Sequence, residues 1–460
     1  MLYIEMDIQT QSRALAAGVV TSRRLVLEAM SLIAERDEEC NAVLELNPDA
    51  LFWADRADEL YRQGKRLSPL QGIPVLVKDN ISTGDGMRTT AGSLALEDNF
   101  ASSDSFVVEK LRAAGMVILG KTNMTEFANY VSGPMPNGYS SRGGQVKSVF
   151  SGVDPSGSST GSAVAVAKNY CSAAVGTETC GSIIGPSTQA GIVGLKPTLG
   201  LVSRRGIIPI SHTLDTAGPM TRCVYDAALL LGVLAGSDPG DAAVTNAPVP
   251  DYTTALNGDL TGMRIGISRL PSWAEVPYQI EMSERAIDLL KSCGAECVEL
   301  EEEPVDLSAL GPLMRYEFRR DLDRYLHEFG TGERKTLEDI VQWNIAHAEK
   351  AIPYGQDILQ AALAQSGTLT EPEYLSALAS REDEVRKLDS TFGKNRIDVM
   401  LAFHADRRRF ALTGFPDIVV PMGVSPAGVP CGVLLAAKRF EEAKLLQAAF
   451  ALEQKRDQRV

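Results

Sequence analysis

Residues 103–128 read SDSFVVEKLRAAGMVILGKTNMTEFA: an amphipathic stretch that stops at Gly115, a short apolar run, MVILG, and a second helical start. A helix that feeds directly into a buried strand is the signature of parallel strands joined by helical crossovers, so this stretch constrains the chain to an α/β fold. The same punctuation recurs. In SPLQGIPVLVKDN, Pro69, Gly72 and Pro74 break the pattern and IPVLV reads as a buried strand ending at Lys78. From Ser162, SAVAVAKNY predicts a small-residue helix suited to close packing, and CSAAVGTE predicts the strand after it. Upstream, TSRRLVLEAMSLIAERDEE puts Leu25, Val26, Ala29, Leu32 and Ile33 on one helix face, with Thr21 or Ser22 as N-cap. ALFWADRADELYRQGK predicts a second helix ending near Gly64.

After about residue 240 the helices become longer and more charged, as in MSERAIDLLKSCGAE, MRYEFRRDLDRYLHEFG and EDEVRKLDSTFGKN. GMRIGISRL, IDVMLAF and PDIVVPMGV read as further strands, and the Ser- and Gly-rich segment 139–160 reads as loop. No internal repeat, heptad run or low-complexity tract is present. With 44% hydrophobic and 23% charged residues the chain can bury a large core. The expectation is one domain over 1–460 with a helix-rich insertion at about 270–395.

Charge excludes two classes of partner. At a net −14, the chain lacks the clustered Lys and Arg that a nucleic-acid or anionic-membrane surface needs. Arg407-Arg408-Arg409, the longest basic cluster, is too short to reverse that reading. MLYIEMDIQT carries acidic residues where an export signal carries basic ones, and no run approaches the length of a membrane span. The seven scattered cysteines then read as reduced thiols of a cytoplasmic protein. Cys293 and Cys297 form a C-x3-C with no second pair to complete a zinc site, so no metal is expected.

PSGSSTGS, at 155–162, invites a phosphate cradle, but it carries neither the G-x4-G-K-[ST] nor the G-x-G-x-x-G pattern. Nor does Gly157-Ser158-Ser159-Thr160-Gly161 fit the G-x-S-x-G elbow of a Ser-His-Asp hydrolase. Of the four histidines, His327, His347 and His404 fall in or beside the charged C-terminal half, and only His212 lies near a Gly- and Ser-rich region. Nothing singles out a histidine base, and no two have ligand spacing. A serine activated by lysine is the remaining pattern, since a desolvated lysine loses its proton near neutral pH. Lys78 ends an apolar strand, where it either serves as such a base, snorkels to the surface, or pairs with Asp79.

Taken together, GIPVLVKDN, PSGSSTGSAVAVA, GTETCGSIIGPSTQAGIVGLKPTLGLVS and DTAGPMTR resemble the amidase signature family, and the closing stretch from GFPDIVVPMGV also matches it. The resemblance runs from about residue 20 to the end, with its core at about 60–225. It implies a large mixed central β-sheet covered on both faces by α-helices, and a cofactor-free amide hydrolase. It further implies a Ser–cis-Ser–Lys triad: Lys78 as base, Ser158 as bridging serine after a cis peptide bond, and Ser182 as nucleophile. Backbone N–H groups of Thr179, Cys180, Gly181 and Ser182 would form the oxyanion hole, and Ser159 and Ile184 would line the substrate pocket.

Three departures stand out: Thr160 replaces a glycine of the serine loop, Cys180 replaces the first of two glycines, and Ile184 and Gly185 stand where many members carry an arginine. The last implies a more apolar pocket that does not select a free carboxylate. The motifs are most similar to peptide amidases, which cleave C-terminal carboxamides. The alternatives within the family are aryl or aliphatic acylamidases and a partner-dependent subunit of the amidotransferase A type. The implied partners are a small-molecule or peptide amide, with neither nucleic acid nor membrane, and the chain is expected to be a monomer or homodimer.

Overall fold

The computed structural model describes residues 2–270, 277–403 and 406–457. Its frame is a single mixed sheet of eleven strands. In chain order the strands are β1 (Val43–Leu46), β2 (Pro74–Lys78), β3 (Val117–Thr122), β4 (Tyr139–Ser140), β5 (Gly144–Gln145), β6 (Ala173–Glu178), β7 (Val193–Lys196), β8 (Thr216–Thr221), β9 (Arg264–Ile267), β10 (Glu296–Glu299), β11 (Val399–Ala402), β12 (Asp417–Val424) and β13 (Pro430–Ala437). They lie in the order β1-β3-β2-β6-β8-β7-β12-β13-β11-β9-β10, and β4 with β5 makes a small separate hairpin. Strands β3, β2 and β6 are parallel neighbours, as the helix-to-strand punctuation requires, while β8 runs antiparallel to β6.

Alternation along β2 sends its side chains into two layers. Val75 and Val77 join Val107, Leu111, Leu230 and Leu446 in the larger core on one face. Helices Phe106–Ala113, Val224–Leu234 and Glu442–Asp457 cover that face. Leu76 points the other way, into a cluster with Val26, Leu32, Val164 and Val166 under helices Ser22–Cys40 and Thr160–Ala167. Farther along this second face, Met400, Val419 and Leu434 pack with Leu388 and Phe410 of helices Pro372–Asn395 and Arg407–Thr413. Each such aliphatic side chain withdrawn from water contributes about 1.5–3 kcal/mol before conformational entropy is counted. Lys78 is two residues beyond Leu76 and so faces the small-residue helix.

The first predicted helix matches: it runs Ser22–Cys40, and Thr21 caps it by accepting a hydrogen bond from the Arg24 N–H at 3.1 Å. Residues 139–160, expected as loop throughout, include the β4–β5 hairpin. The segment 270–395 is helix-rich, yet it also contributes β10 at the sheet edge. Strand β8 reads TAGPMT, whose Gly218 and Pro219 suggest a break. Its place in the middle of the sheet needs that glycine, because a Cβ at 218 would lie 2.2 Å from the Leu195 carbonyl oxygen. Among the described residues, no helix is long and apolar enough to cross a membrane.

The small-residue helix is pressed against the strand ends. A Cβ at Gly161 would lie 2.3 Å from the Asn123 carbonyl oxygen and 2.4 Å from that of Ala42, both backbone atoms that cannot give way cheaply. Gly161→Ala should therefore destabilise the fold by about 1–3 kcal/mol, read as a lower urea midpoint with an unchanged m-value.

Candidate active site

Lys78 is fully buried at the end of β2 and does not snorkel. Its Nζ lies 2.7 Å from Ser158 Oγ, 2.9 Å from Thr177 Oγ1 and 3.3 Å from the Thr177 carbonyl oxygen. Asn80 donates to the same Thr177 hydroxyl at 3.0 Å, fixing it beside the amine. Asp79 is not the partner of Lys78. Its carboxylate turns to Thr90 and to the Gly92 N–H, with Arg142 at 3.6 Å. Burial pulls the Lys78 ammonium down to about 7, against the fields of Asp215 and Glu178, which favour the charged form.

The peptide bond between Gly157 and Ser158 is cis. Ser158 is fully buried, and its carbonyl accepts the Thr125 N–H at 3.1 Å. Thr160, which stands where the family commonly has glycine, donates its hydroxyl back to the Ser156 carbonyl at 2.7 Å and so closes this loop on itself. The loop meets the second Gly-Ser turn directly, since the Ser159 N–H donates to the Ser182 carbonyl at 3.2 Å.

Ser182 is 8% exposed and lies between β6 and helix Ile184–Ala190. Glu178, the last residue of β6, accepts the N–H groups of Ile183 and Ile184 at 2.7 and 3.0 Å, which holds the residues just after Ser182. The preceding turn requires Gly181, whose φ is +103°. Among the described residues, no acceptor takes the N–H groups of Thr179, Cys180, Gly181 or Ser182. Four such donors in succession are suited to a charged oxygen.

Asp215 supports the same turn from below. It accepts from Thr179 Oγ1 at 2.5 Å and from the N–H groups of Ile210 and Ser211 at 2.8 and 2.9 Å, and burial pushes its carboxyl up to about 6. Thr177, Asn80, Glu178 and Asp215 are the supporting residues that the sequence reading did not single out. The available signal was polar residues, Thr177 and Glu178, ending a strand that is otherwise small and apolar; a buried polar group must be satisfied by a neighbour.

A cleft of about 610 Å³ opens beside Thr177, Thr179 and Asn80. One wall is apolar, with Ile207, Ile208, Ile210 and Phe329, and its rim carries Arg204, Arg205, Arg320 and Arg324. Arginines thus reach the cleft from segments distant from Ile184 and Gly185. Arg204 pairs with Asp241, and Arg205 with Glu109 and Asp238.

The two expected pocket residues both lie inside the protein beside the serine turns. Ser159 is fully buried and donates to the Thr177 carbonyl at 3.0 Å, pinning the serine loop to β6. Ile184 is fully buried with Phe410, Phe415 and Val419. Like Lys78, Ser158 and Ser182, neither is among the residues that line the cleft beside Thr179.

His212 does line the cleft, with Nδ1 2.8 Å from Asp321, whose carboxylate helps hold the imidazole above its usual range despite burial. His327 and His347 are exposed and bond to carbonyls of their own helices. His404 lies outside the described residues.

Residues 24–446 match the family model described as Amidase. The fold superposes on the native peptide amidase of Stenotrophomonas maltophilia with a TM-score of 0.92 at 38% identity, over 99% of this chain and 98% of that one. An amidase family protein of Bacillus anthracis gives 0.91 at 33% identity, over 99% and 92%. In sequence, the chain is 36% identical to the A subunit of the glutamyl-tRNA(Gln) amidotransferase of Prochlorococcus marinus, over 98% of this chain and 97% of that protein. Motifs, fold and comparisons agree: the chain belongs to the amidase family and is an amide-hydrolysing enzyme.

Proposed function

We propose that this enzyme hydrolyses a primary carboxamide at the C-terminus of a peptide, through an acyl-serine on Ser182. The observation that carries the reading is the buried Lys78 amine, 2.7 Å from Ser158 Oγ and held near a pKa of 7. A base poised there is neutral often enough to accept a proton at physiological pH. Ser182 Oγ attacks the carbonyl carbon as its proton passes to Ser158 and the proton of Ser158 passes to Lys78. The N–H groups of Thr179 to Ser182 hold the oxyanion. When the carbon–nitrogen bond breaks, Lys78 returns the proton through Ser158 and ammonia leaves. Water then repeats the same transfers on the acyl-serine and releases the acid.

The peptide acyl group is favoured by the likeness to the Stenotrophomonas peptide amidase and by the cleft, whose volume suits a chain of several residues rather than one small amide. The likeness to the amidotransferase of Prochlorococcus favours a second reading, in which glutamine is the amide donor and a second protein is needed. Ammonia release by the purified chain alone, compared across peptide amides, aryl and aliphatic amides and glutamine, separates the readings. Turnover of glutamine only with a partner present would overturn the peptide assignment.

With a peptide amide as substrate, Ser182→Ala should lose at least about 10³-fold in kcat, and Lys78→Ala should fall comparably while remaining folded. Background-level activity in wild type, or full activity in Ser182→Ala, would refute the mechanism.

The pH profile supplies an independent check. Lys78 acts as a base, so kcat/KM should fall as pH drops through about 7 and the amine becomes charged. The Asp215 carboxylate favours the charged form, so Asp215→Asn should move this acid limb to lower pH. A limb that stays in place would remove Asp215 from the control of Lys78.

A further inference from the structure

Arg407 approaches the nucleophile turn from a segment 225 residues beyond Ser182. It begins the short helix Arg407–Thr413, and its side chain fills the space beside Gly181. A Cβ at Gly181 would lie 2.6 Å from Arg407 Nε and 2.9 Å from its Cδ. At Gly185 a Cβ would lie 3.8 Å from the same Nε. One side chain therefore lies against both ends of the turn that carries Ser182, and that turn is closed by the Gly185 N–H donating to the Gly181 carbonyl at 2.8 Å.

Charge acts across the same turn, through space. Glu178 is 1% exposed and uses one carboxylate oxygen to hold the N–H groups of Ile183 and Ile184. A carboxylate this deep is held by the hydrogen bonds it accepts and by positive charge in its surroundings. Burial disfavours the charged form of Arg407, and the field of the Glu178 carboxylate, acting through space, favours it; the same carboxylate acts on Lys78. Lys78 must become neutral during turnover, whereas a guanidinium stays charged.

We propose that Arg407 is a positioning residue for catalysis: its stem backs Gly181 and its guanidinium supplies the permanent counter-charge to Glu178, so that the N–H groups of the oxyanion turn are held in place. This rests on the reading of Ser182 as the nucleophile. It assigns a role to one member of the Arg407-Arg408-Arg409 cluster that its composition alone does not suggest. The three diverge, with Arg408 exposed and Arg409 buried against Glu302 at 2.6 Å.

Three variants separate packing from charge. Arg407→Lys keeps stem and charge, Arg407→Met keeps only the stem, and Arg407→Ala removes both. Steady-state kinetics with a peptide amide should give a kcat about 100-fold lower for Arg407→Ala, of the order seen when one oxyanion donor is lost, with KM changed less than about threefold. Arg407→Met should fall between, and Arg407→Lys should recover most of the rate. A peptide aldehyde, which forms a tetrahedral adduct, should lose affinity in step with kcat, while the product acid should bind as before.

A wild-type kcat in Arg407→Met and Arg407→Ala would overturn the proposal, as would a rise in KM at constant kcat, which marks a substrate contact. Should Arg407→Ala fail to fold, Arg407→Met and Arg407→Lys decide: equal rates in these two refute the charge role. Ser182→Ala, assayed in parallel, keeps the two claims apart. If it is inactive while the Arg407 variants are unimpaired, only the inference falls; if it is active, the nucleophile assignment falls.

Discussion

Everything at this site depends on keeping an amine out of water. A lysine at the end of an apolar strand would ordinarily reach solvent, yet Lys78 is enclosed completely and its polar contacts are hydroxyl and carbonyl oxygens. Neutral acceptors solvate the amine without fixing its charge, whereas a carboxylate at contact distance would keep it protonated. Asp79, the adjacent acid, is turned away to Thr90 and Gly92. Asp215 and Glu178 act on Lys78 only through space, and each is occupied with backbone or hydroxyl donors of the nucleophile turn. The acids that order the turn thus also set how readily the base gives up its proton.

The mixed sheet explains how these groups meet. β2 and β6 are parallel neighbours, so Lys78 and the Thr177–Glu178 pair emerge at the same edge. β8 runs antiparallel to β6, and its register pairs Thr216 with Glu178, which brings Asp215 to that edge as well. Three strands, one of them reversed, deliver the base, its hydroxyl neighbour and the carboxylate that tunes it.

Much of this is legible in the sequence, unevenly. The helix Phe106–Ala113 and the strand Val117–Thr122 are local and propensity agrees with packing there, whereas the helical start expected after them is only a short turn, Glu126–Asn129, broken by positive φ at Phe127 and Ala128. β8 is not legible, since Gly218 and Pro219 suit a place that only its antiparallel neighbours create. The apolar strand before Lys78 flags the lysine on physical grounds, whereas Ser158 and Ser182 come only with the family motifs. Ser159 and Ile184 sit beside those motifs but face inward, because direction cannot be read from adjacency. Arg407 stands in the sequence only as part of a short basic cluster; its contact with Gly181 depends on the fold of a segment more than two hundred residues away, which no local pattern encodes.

The sheet order has a consequence for synthesis. Lys78, Ser158 and Ser182 all lie in the first 182 residues, and β1, β2, β3, β6, β7 and β8 form one flank of the sheet. The open side of β7 pairs with β12, which starts at Asp417, and the helix bearing Arg407 lies just before it. A chain leaving the ribosome therefore carries its reactive groups long before it carries the strand that seals them. The sheet becomes continuous across β7 only once β12 has been made.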